Sequence, residues 1–105
     1  MASFDDRQDG FERKFAHDEE MRFKAMARRN KLLGVWAAGE LGKSGDEAEA
    51  YARSVVAADF EEAGDEDVFR KIRADFDSGN VAQTDQQIRM KMYELLQTAA
   101  NQLGA

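Results

Sequence analysis

The sequence predicts an all-α fold, and three features of this 105-residue chain support that prediction. The chain contains no proline, and residues with high helix propensity dominate its composition. Apolar residues recur at helical spacing through most of the chain. Glycines separate these periodic segments, at the positions where helices are expected to end. We therefore expect a four-helix bundle with a long first helix, and the chain length suits a single core.

The first predicted helix covers about residues 15–41. Its apolar side chains follow one another at steps of three to eight residues, which is close to a common face. The residues assigned to this face are Phe15, Phe23, Met26, Leu33, Trp36 and Leu41. Gly42 follows the last of them, and a glycine in the left-handed conformation commonly ends a helix.

Three shorter helices are expected at about residues 45–63, 66–78 and 85–103. Ser44 and Thr84 each begin a capping box, in which the hydroxyl and a Glu or Gln three residues later satisfy two backbone amides. Asp65 is a candidate N-cap for the third helix, and the Ser-Gly pair at 78–79 should end it. The side chains expected to face inward are Ala48, Tyr51, Ala52, Val55, Val56, Val68, Phe69, Ile72, Phe76, Ile88, Met92, Leu95, Leu96, Ala99 and Leu103.

Residues 1–14 contain too few apolar side chains to form a core of their own. Gly10 lies within this segment and disfavours a helix, so we expect a flexible N-terminal arm attached to a single helical domain of residues 15–105. Phe4, Phe11 and Phe15 are seven and four residues apart, and they would share one face if the arm became helical. Such a segment could bind in a groove of a partner, or its aromatic side chains could dock on the bundle.

The charge is unevenly distributed along the chain. The net charge of −6 argues against general binding of nucleic acid. Residues 1–20 contain seven acidic and three basic side chains, whereas residues 21–31 contain five basic and no acidic ones. The five basic residues are Arg22, Lys24, Arg28, Arg29 and Lys31. They could pair with acidic residues of the second helix, or bind a phosphate or an acidic partner.

The sequence offers little support for catalysis, metal binding or membrane insertion. His17 is the only histidine, cysteine is absent, and the serines have no partner residues typical of a nucleophile. The Gly-Lys-Ser at 42–44 lacks the upstream glycine of a phosphate-binding loop, and the acidic run at 61–67 lacks the spacing of a calcium loop. The N-terminus does not look like a secretion signal, and no segment reaches the roughly 18 apolar residues of a membrane span. We expect a cytoplasmic binding protein and not an enzyme.

Several motifs are similar to those of a known family. They lie at residues 3–7, 15–18, 23–25, 36–38, 42–43, 59–64, 66–71 and 92–96, and the most specific is Ala-Arg-Arg-Asn-Lys-Leu-Leu-Gly at 27–34. The chain resembles the zeta inhibitor subunit of alphaproteobacterial F-type ATP synthases. The resemblance covers nearly the whole chain. It implies a four-helix protein whose N-terminal arm inserts as a helix at a catalytic subunit interface and blocks ATP hydrolysis.

The resemblance also implies which partners and residues are involved. The partners would be the alpha, beta and gamma subunits of the catalytic head, which would hold the protein at the inner membrane without inserting it. The candidate partner-binding residues are Phe4, Asp5, Asp6, Arg7, Phe11, Lys14, Phe15, Arg22, Lys24, Arg28, Arg29 and Lys31. No cofactor is required, although ATP or ADP stays a candidate ligand, and a nucleotide-binding regulatory or adaptor protein is the alternative. Gly10 departs from the family, whose arm favours better helix formers, so Gly10→Ala should strengthen inhibition.

Overall fold

Four α-helices make up most of the chain in the computed structural model, which describes residues 19–58 and 65–104. Helix α1 spans Glu19–Glu40, α2 spans Gly45–Ala58, α3 spans Glu66–Ser78 and α4 spans Asp85–Gln102. These two ranges contain no β-strand, and the predicted all-α fold is confirmed. The predicted arm at 1–14 and the predicted helical residues 15–18 and 59–63 lie outside the described residues.

The helices form a closed bundle in which each helix packs mainly against two others. Helix α1 packs on α2 and α4, and α3 packs on the same two helices from the opposite side. The space between them is filled by one apolar core, in which Trp36 meets the ring of Phe76 edge-on with centroids 5.5 Å apart. The buried members of this core are Leu33, Ala37, Val55, Val68, Phe69, Ile72, Phe76, Ile88 and Met92. All four helices therefore contribute to a single core.

Helix α1 is the longest of the described helices, with 22 residues and a length of about 33 Å. Its N-terminal turns pack on the last turns of α4 through a small second cluster that includes Ala25 and Ala100. The prediction that Phe23 faces the core is wrong, because its side chain is 63% exposed. It precedes Leu33 by ten residues, which displaces it by about 80° around the helix.

Two helices end in the same hydrogen-bonded motif, with a left-handed residue after the last turn. After α1 this residue is Gly42, as predicted, with φ of 78°. The amide of Lys43 donates to the carbonyl of Ala38 at 2.8 Å, which closes the motif. Helix α3 ends at Ser78 and Gly79, as predicted, and the left-handed residue that follows is Asn80, with φ of 58°. Gly79 lies close to its neighbours, since a Cβ there would be 2.6 Å from the Leu41 side chain and 3.2 Å from the Asp75 carbonyl oxygen.

The N-terminal caps follow the sequence prediction at one helix and depart from it at two. At α4, the Thr84 hydroxyl accepts from the Gln87 amide at 3.1 Å, and the Gln87 side chain accepts from the Thr84 amide at 2.8 Å. The Ser44 hydroxyl forms no such bond within residues 19–58, where Gly45 takes a positive φ of 56°. The Asp65 side chain does not cap α3 either. Its carboxylate binds Arg29 on α1 instead, at 2.7 Å.

Candidate partner-binding groove

An open groove with a volume of about 740 Å³ lies between α1 and α4. Helix α1 supplies one wall, and the C-terminal half of α4 supplies the other. The residues that line it are Phe23, Lys24, Ala27, Arg28, Lys31, Leu32, Val35, Trp36, Leu95, Gln102 and Leu103. We call this feature the α1/α4 groove. It is larger than a neighbouring hollow of about 420 Å³ against α2.

Three basic side chains follow one edge of the α1/α4 groove. Lys24, Arg28 and Lys31 are four and three residues apart, so the helical repeat aligns them along one side of α1. The Arg28 Nη1 atom donates to the Gln102 side-chain oxygen at 3.1 Å, which links the two walls. Lys24 is paired only with Glu20, one turn earlier on the same helix and at an exposed position. We call these three residues the basic rim.

The floor and ends of the α1/α4 groove are apolar. Leu32, Leu95 and Leu103 are half-buried along it, and Trp36 closes one end while contributing to the core. Phe23 at the other end and Val35 beside the rim are 63% and 52% exposed. A second hollow of about 420 Å³ lies on the far side of Val35, against α2. Exposed apolar surface next to a basic edge is suited to binding a molecule, and no part of it resembles a catalytic arrangement.

Arg29 is the one predicted binding residue that the structure places in the interior. Its side chain is 1% exposed, and its guanidinium donates to Asp65 at 2.7 Å and to the side-chain oxygen of Asn30 at 2.8 Å. It lies four residues before Leu33, and therefore on the core-facing side of α1. The assignment of Arg29 to a partner contact stays a prediction, but the structure buries this side chain in the bundle. Its position relative to Leu33 was a signal in the sequence that could have shown this.

Comparison with known proteins identifies the family of this chain. A family model described as ATPase inhibitor subunit zeta matches residues 1–102. The chain belongs to this family. Among solved structures, a protein determined by solution NMR is 55% identical to this zeta chain, with a TM-score of 0.71. The match covers 79% of this chain and 94% of that one. No curated protein matches the chain.

Family membership supports the coarse functional prediction, a regulatory inhibitor that associates with an ATP synthase. None of the helices in the described part of this zeta chain is long and apolar enough to cross a membrane. The same residues hold no group of three or more side chains suited to bind a metal ion. The family itself directs attention to surfaces that bind protein.

The predicted binding residues fall into three groups in this zeta chain. Phe4, Asp5, Asp6, Arg7, Phe11, Lys14 and Phe15 lie outside the described residues, as do His17 and Gly10. Lys24, Arg28 and Lys31 are brought together at the groove, and Arg22 is exposed but does not line it. None of the five basic residues pairs with a described acidic residue of α2, which was one of the two interpretations of their charge.

The apolar half of the groove was not recognised in the sequence as a binding surface. Leu95 and Leu103 were assigned to the core face of α4, and Trp36 to that of α1. Each does pack against a core cluster while also lining the groove. Periodicity cannot separate these two roles, because a side chain at the edge of an apolar stripe points partly to the core and partly outward.

Proposed function

We propose that this zeta-family chain inhibits ATP hydrolysis by the F-type ATP synthase head, and that its N-terminal arm, residues 1–14, is the inhibitory element. In this mechanism the arm becomes helical at an interface between catalytic subunits, in contact with the alpha, beta and gamma subunits. Phe4, Phe11 and Phe15 bury their rings there, while Asp5, Asp6, Arg7 and Lys14 set the register. The protein stays at the cytoplasmic side of the inner membrane through the synthase.

The observation that carries the proposal is the extent of the family match. It begins at residue 1 and so includes the arm. The arm also carries Phe4 and Phe11, which with Phe15 lie at helical spacing between charged residues. A segment that belongs to the family pattern and has this composition is a good candidate for the part that acts on the partner.

The physical basis of inhibition would be helix-in-groove binding. Three aromatic rings at helical spacing offer a large apolar contact area on one face, and the charged residues between them provide orientation. Ordering the arm on binding costs several kcal/mol of the gross contact energy. The arm must therefore meet a preformed interface, such as one between two catalytic subunits, and not a flat surface.

The proposal is tested with the membrane-bound synthase of the source organism, stripped of its own inhibitor. ATP hydrolysis is measured with the full chain and with a chain that starts at Phe15, whose folding is checked by circular dichroism. We expect inhibition by the full chain alone. Equal inhibition by the two chains would assign the activity to the bundle, and no inhibition by either would remove the proposed function.

A second function, nucleotide-dependent regulation, is favoured by one observation. The basic rim lies beside Trp36, the only tryptophan, so that a phosphate held by Arg28 or Lys31 would place a base near the indole ring. Titration with ATP and with ADP, followed by Trp36 fluorescence, tests this alternative. A saturable change that is lost in Arg28→Gln would support it.

A further inference from the structure

The α1/α4 groove is lined by residues of α1 and of the C-terminal part of the chain. We infer that it binds an acidic amphipathic helix on the outer surface of the ATP synthase head. This inference rests on the proposed function and adds a partner surface to it. The arm would then supply inhibition, and the groove would supply much of the affinity.

The apolar lining indicates that the occupant is a protein segment. Phe23 and Val35 are two of the three large apolar side chains that are mostly exposed among the described residues, and both line this groove. Together with Leu32, Leu95 and Leu103 they form a continuous apolar surface. Contiguous exposed apolar surface edged by polar groups is typical of protein-binding sites.

The basic rim indicates that the occupant is acidic. The chain carries a net charge of −6, yet none of the described residues that line the groove is acidic. Glu20 is the only described carboxylate that pairs with a rim residue, and such an exposed pair one turn apart contributes little. The rim can therefore exchange this contact for a partner carboxylate at small cost.

The dimensions of the groove favour a helix over a small anion. From Phe23 to Trp36 the wall formed by α1 runs for about 20 Å, and the three rim residues are spread over about 10 Å of it. Carboxylates one turn apart on a partner helix would pair with successive rim residues. The apolar face of the same helix would cover the floor of the groove. A single phosphate group could reach only part of this rim.

Charge also argues against two other occupants. A second copy of this chain that used the same groove would bring two basic rims together, which is unfavourable. The arm of the same chain has four acidic and three basic residues at 1–14, so it is a poor match for a purely basic rim. The ATP synthase is favoured because α1 follows directly from the segment that is proposed to enter the head, so the groove is close to that contact.

The test compares two full-length double variants that carry equivalent changes. Phe23→Ala with Arg28→Glu alters the groove. Met90→Ala with Arg70→Glu alters an apolar residue of matched exposure, 62% against 63%, and an exposed arginine, neither of which lines the groove or the hollow beside it. Affinity for the purified head is measured by fluorescence anisotropy, and inhibition of ATP hydrolysis is measured over the same range of concentrations. Circular dichroism confirms that both variants are folded.

We expect the groove variant to bind at least about tenfold more weakly, with a parallel increase in the concentration for half inhibition. Inhibition at saturation should equal that of the unmodified chain, because the arm is intact, and the matched variant should behave as unmodified. Added salt should weaken the unmodified chain more than the groove variant.

Three results would overturn the inference while leaving the proposed function in place. In the first, the groove variant binds as tightly as the matched variant. In the second, it binds and inhibits more strongly than the unmodified chain, which would mean that the arm occupies the groove. In the third, it keeps its affinity for the head but loses a Trp36 response to ATP, which would assign the groove to a nucleotide. If the unmodified chain neither binds the head nor inhibits ATP hydrolysis, the proposed function is refuted, and so is the inference about the groove, which rests on it.

Discussion

Two glycines of α1 allow a direct test of how closely α1 and α2 pack. Gly34 faces α2, and a Cβ built on it would lie 2.6 Å from the Ala52 Cα and 3.0 Å from the Ala52 Cβ. Carbon atoms in contact normally stay about 3.5 to 4.0 Å apart. A Cβ built on Gly39, five residues later in the same helix, has no neighbour within 4 Å. The change Gly→Ala should therefore have opposite effects at these two positions.

The expected magnitudes follow from two opposing terms. Alanine gains up to about 1 kcal/mol over glycine in a helix. At Gly34 this gain is outweighed by overpacking, which costs about 1 to 3 kcal/mol because the neighbouring atoms belong to the α2 backbone and cannot rotate away. We expect Gly34→Ala to lower the free energy of unfolding by about 1 kcal/mol, and Gly39→Ala to raise it by about 0.5 kcal/mol.

The assay is urea unfolding followed by circular dichroism and by Trp36 fluorescence, with thermal unfolding as a second measure. For a domain of this size, 1 kcal/mol corresponds to a change of about 4 to 8 °C in Tm. The two variants should differ by at least that amount, with the unmodified chain between them. If Gly34→Ala is as stable as Gly39→Ala or more so, α1 and α2 are not as close as the structure has them.

Two further predictions concern side chains that join helices. Asp65→Ala leaves the buried guanidinium of Arg29 without its carboxylate and should lower the free energy of unfolding by about 2 kcal/mol. The loss is smaller than for a fully buried ion pair because the Asp65 side chain is 42% exposed. Urea unfolding measures this loss, and Asp65→Asn should recover part of it if the hydrogen bond contributes. Burial, followed by the hydrogen bond to Asp75, raises the pKa of Tyr51. The unfolded chain therefore loses the tyrosine proton first, and stability should fall above about pH 10 in the unmodified chain. In Tyr51→Phe this part of the pH dependence should be absent. The measurement is the urea midpoint of each chain at about pH 9 and at about pH 11. If the midpoint of Tyr51→Phe changes between these pH values as much as that of the unmodified chain, Tyr51 has no such role.

Local signals in the sequence were sufficient at some helix ends and failed at others, such as Ser44. The capping box at Thr84 and the left-handed Gly42 depend on residues within one turn, and both form as predicted. Asp65 shows the limit of such signals. An aspartate before a helix is a good N-cap in isolation, but here Arg29 is buried 36 positions away in the sequence and takes the carboxylate. A buried cation outcompetes a backbone amide for a carboxylate because its unpaired state is far more costly.

The candidate site was only partly predictable for a related reason. The five basic residues at 22–31 look alike in the sequence, and only the packing of α1 separates the buried Arg29 from the rim residues. Phe23 was likewise assigned to the same apolar face as Leu33, but it lies about 80° around α1 from Leu33 and its side chain is 63% exposed. A pattern can predict which residues share a face of a helix, but the neighbouring helices determine how much of that face is covered.

The family motif at 27–34 shows how one stretch of helix can serve both stability and binding. Asn30, Leu33 and Gly34 face inward with Arg29, where they build the core, hold Asp65 and let α2 approach. Arg28, Lys31 and Leu32 of the same eight residues line the groove. Substitutions on the inward side should therefore lower stability, and those on the outward side should lower affinity for the head while stability is unchanged. Under the proposed groove contact, both sides of α1 are constrained at once, the inner side by the bundle and the outer side by the partner.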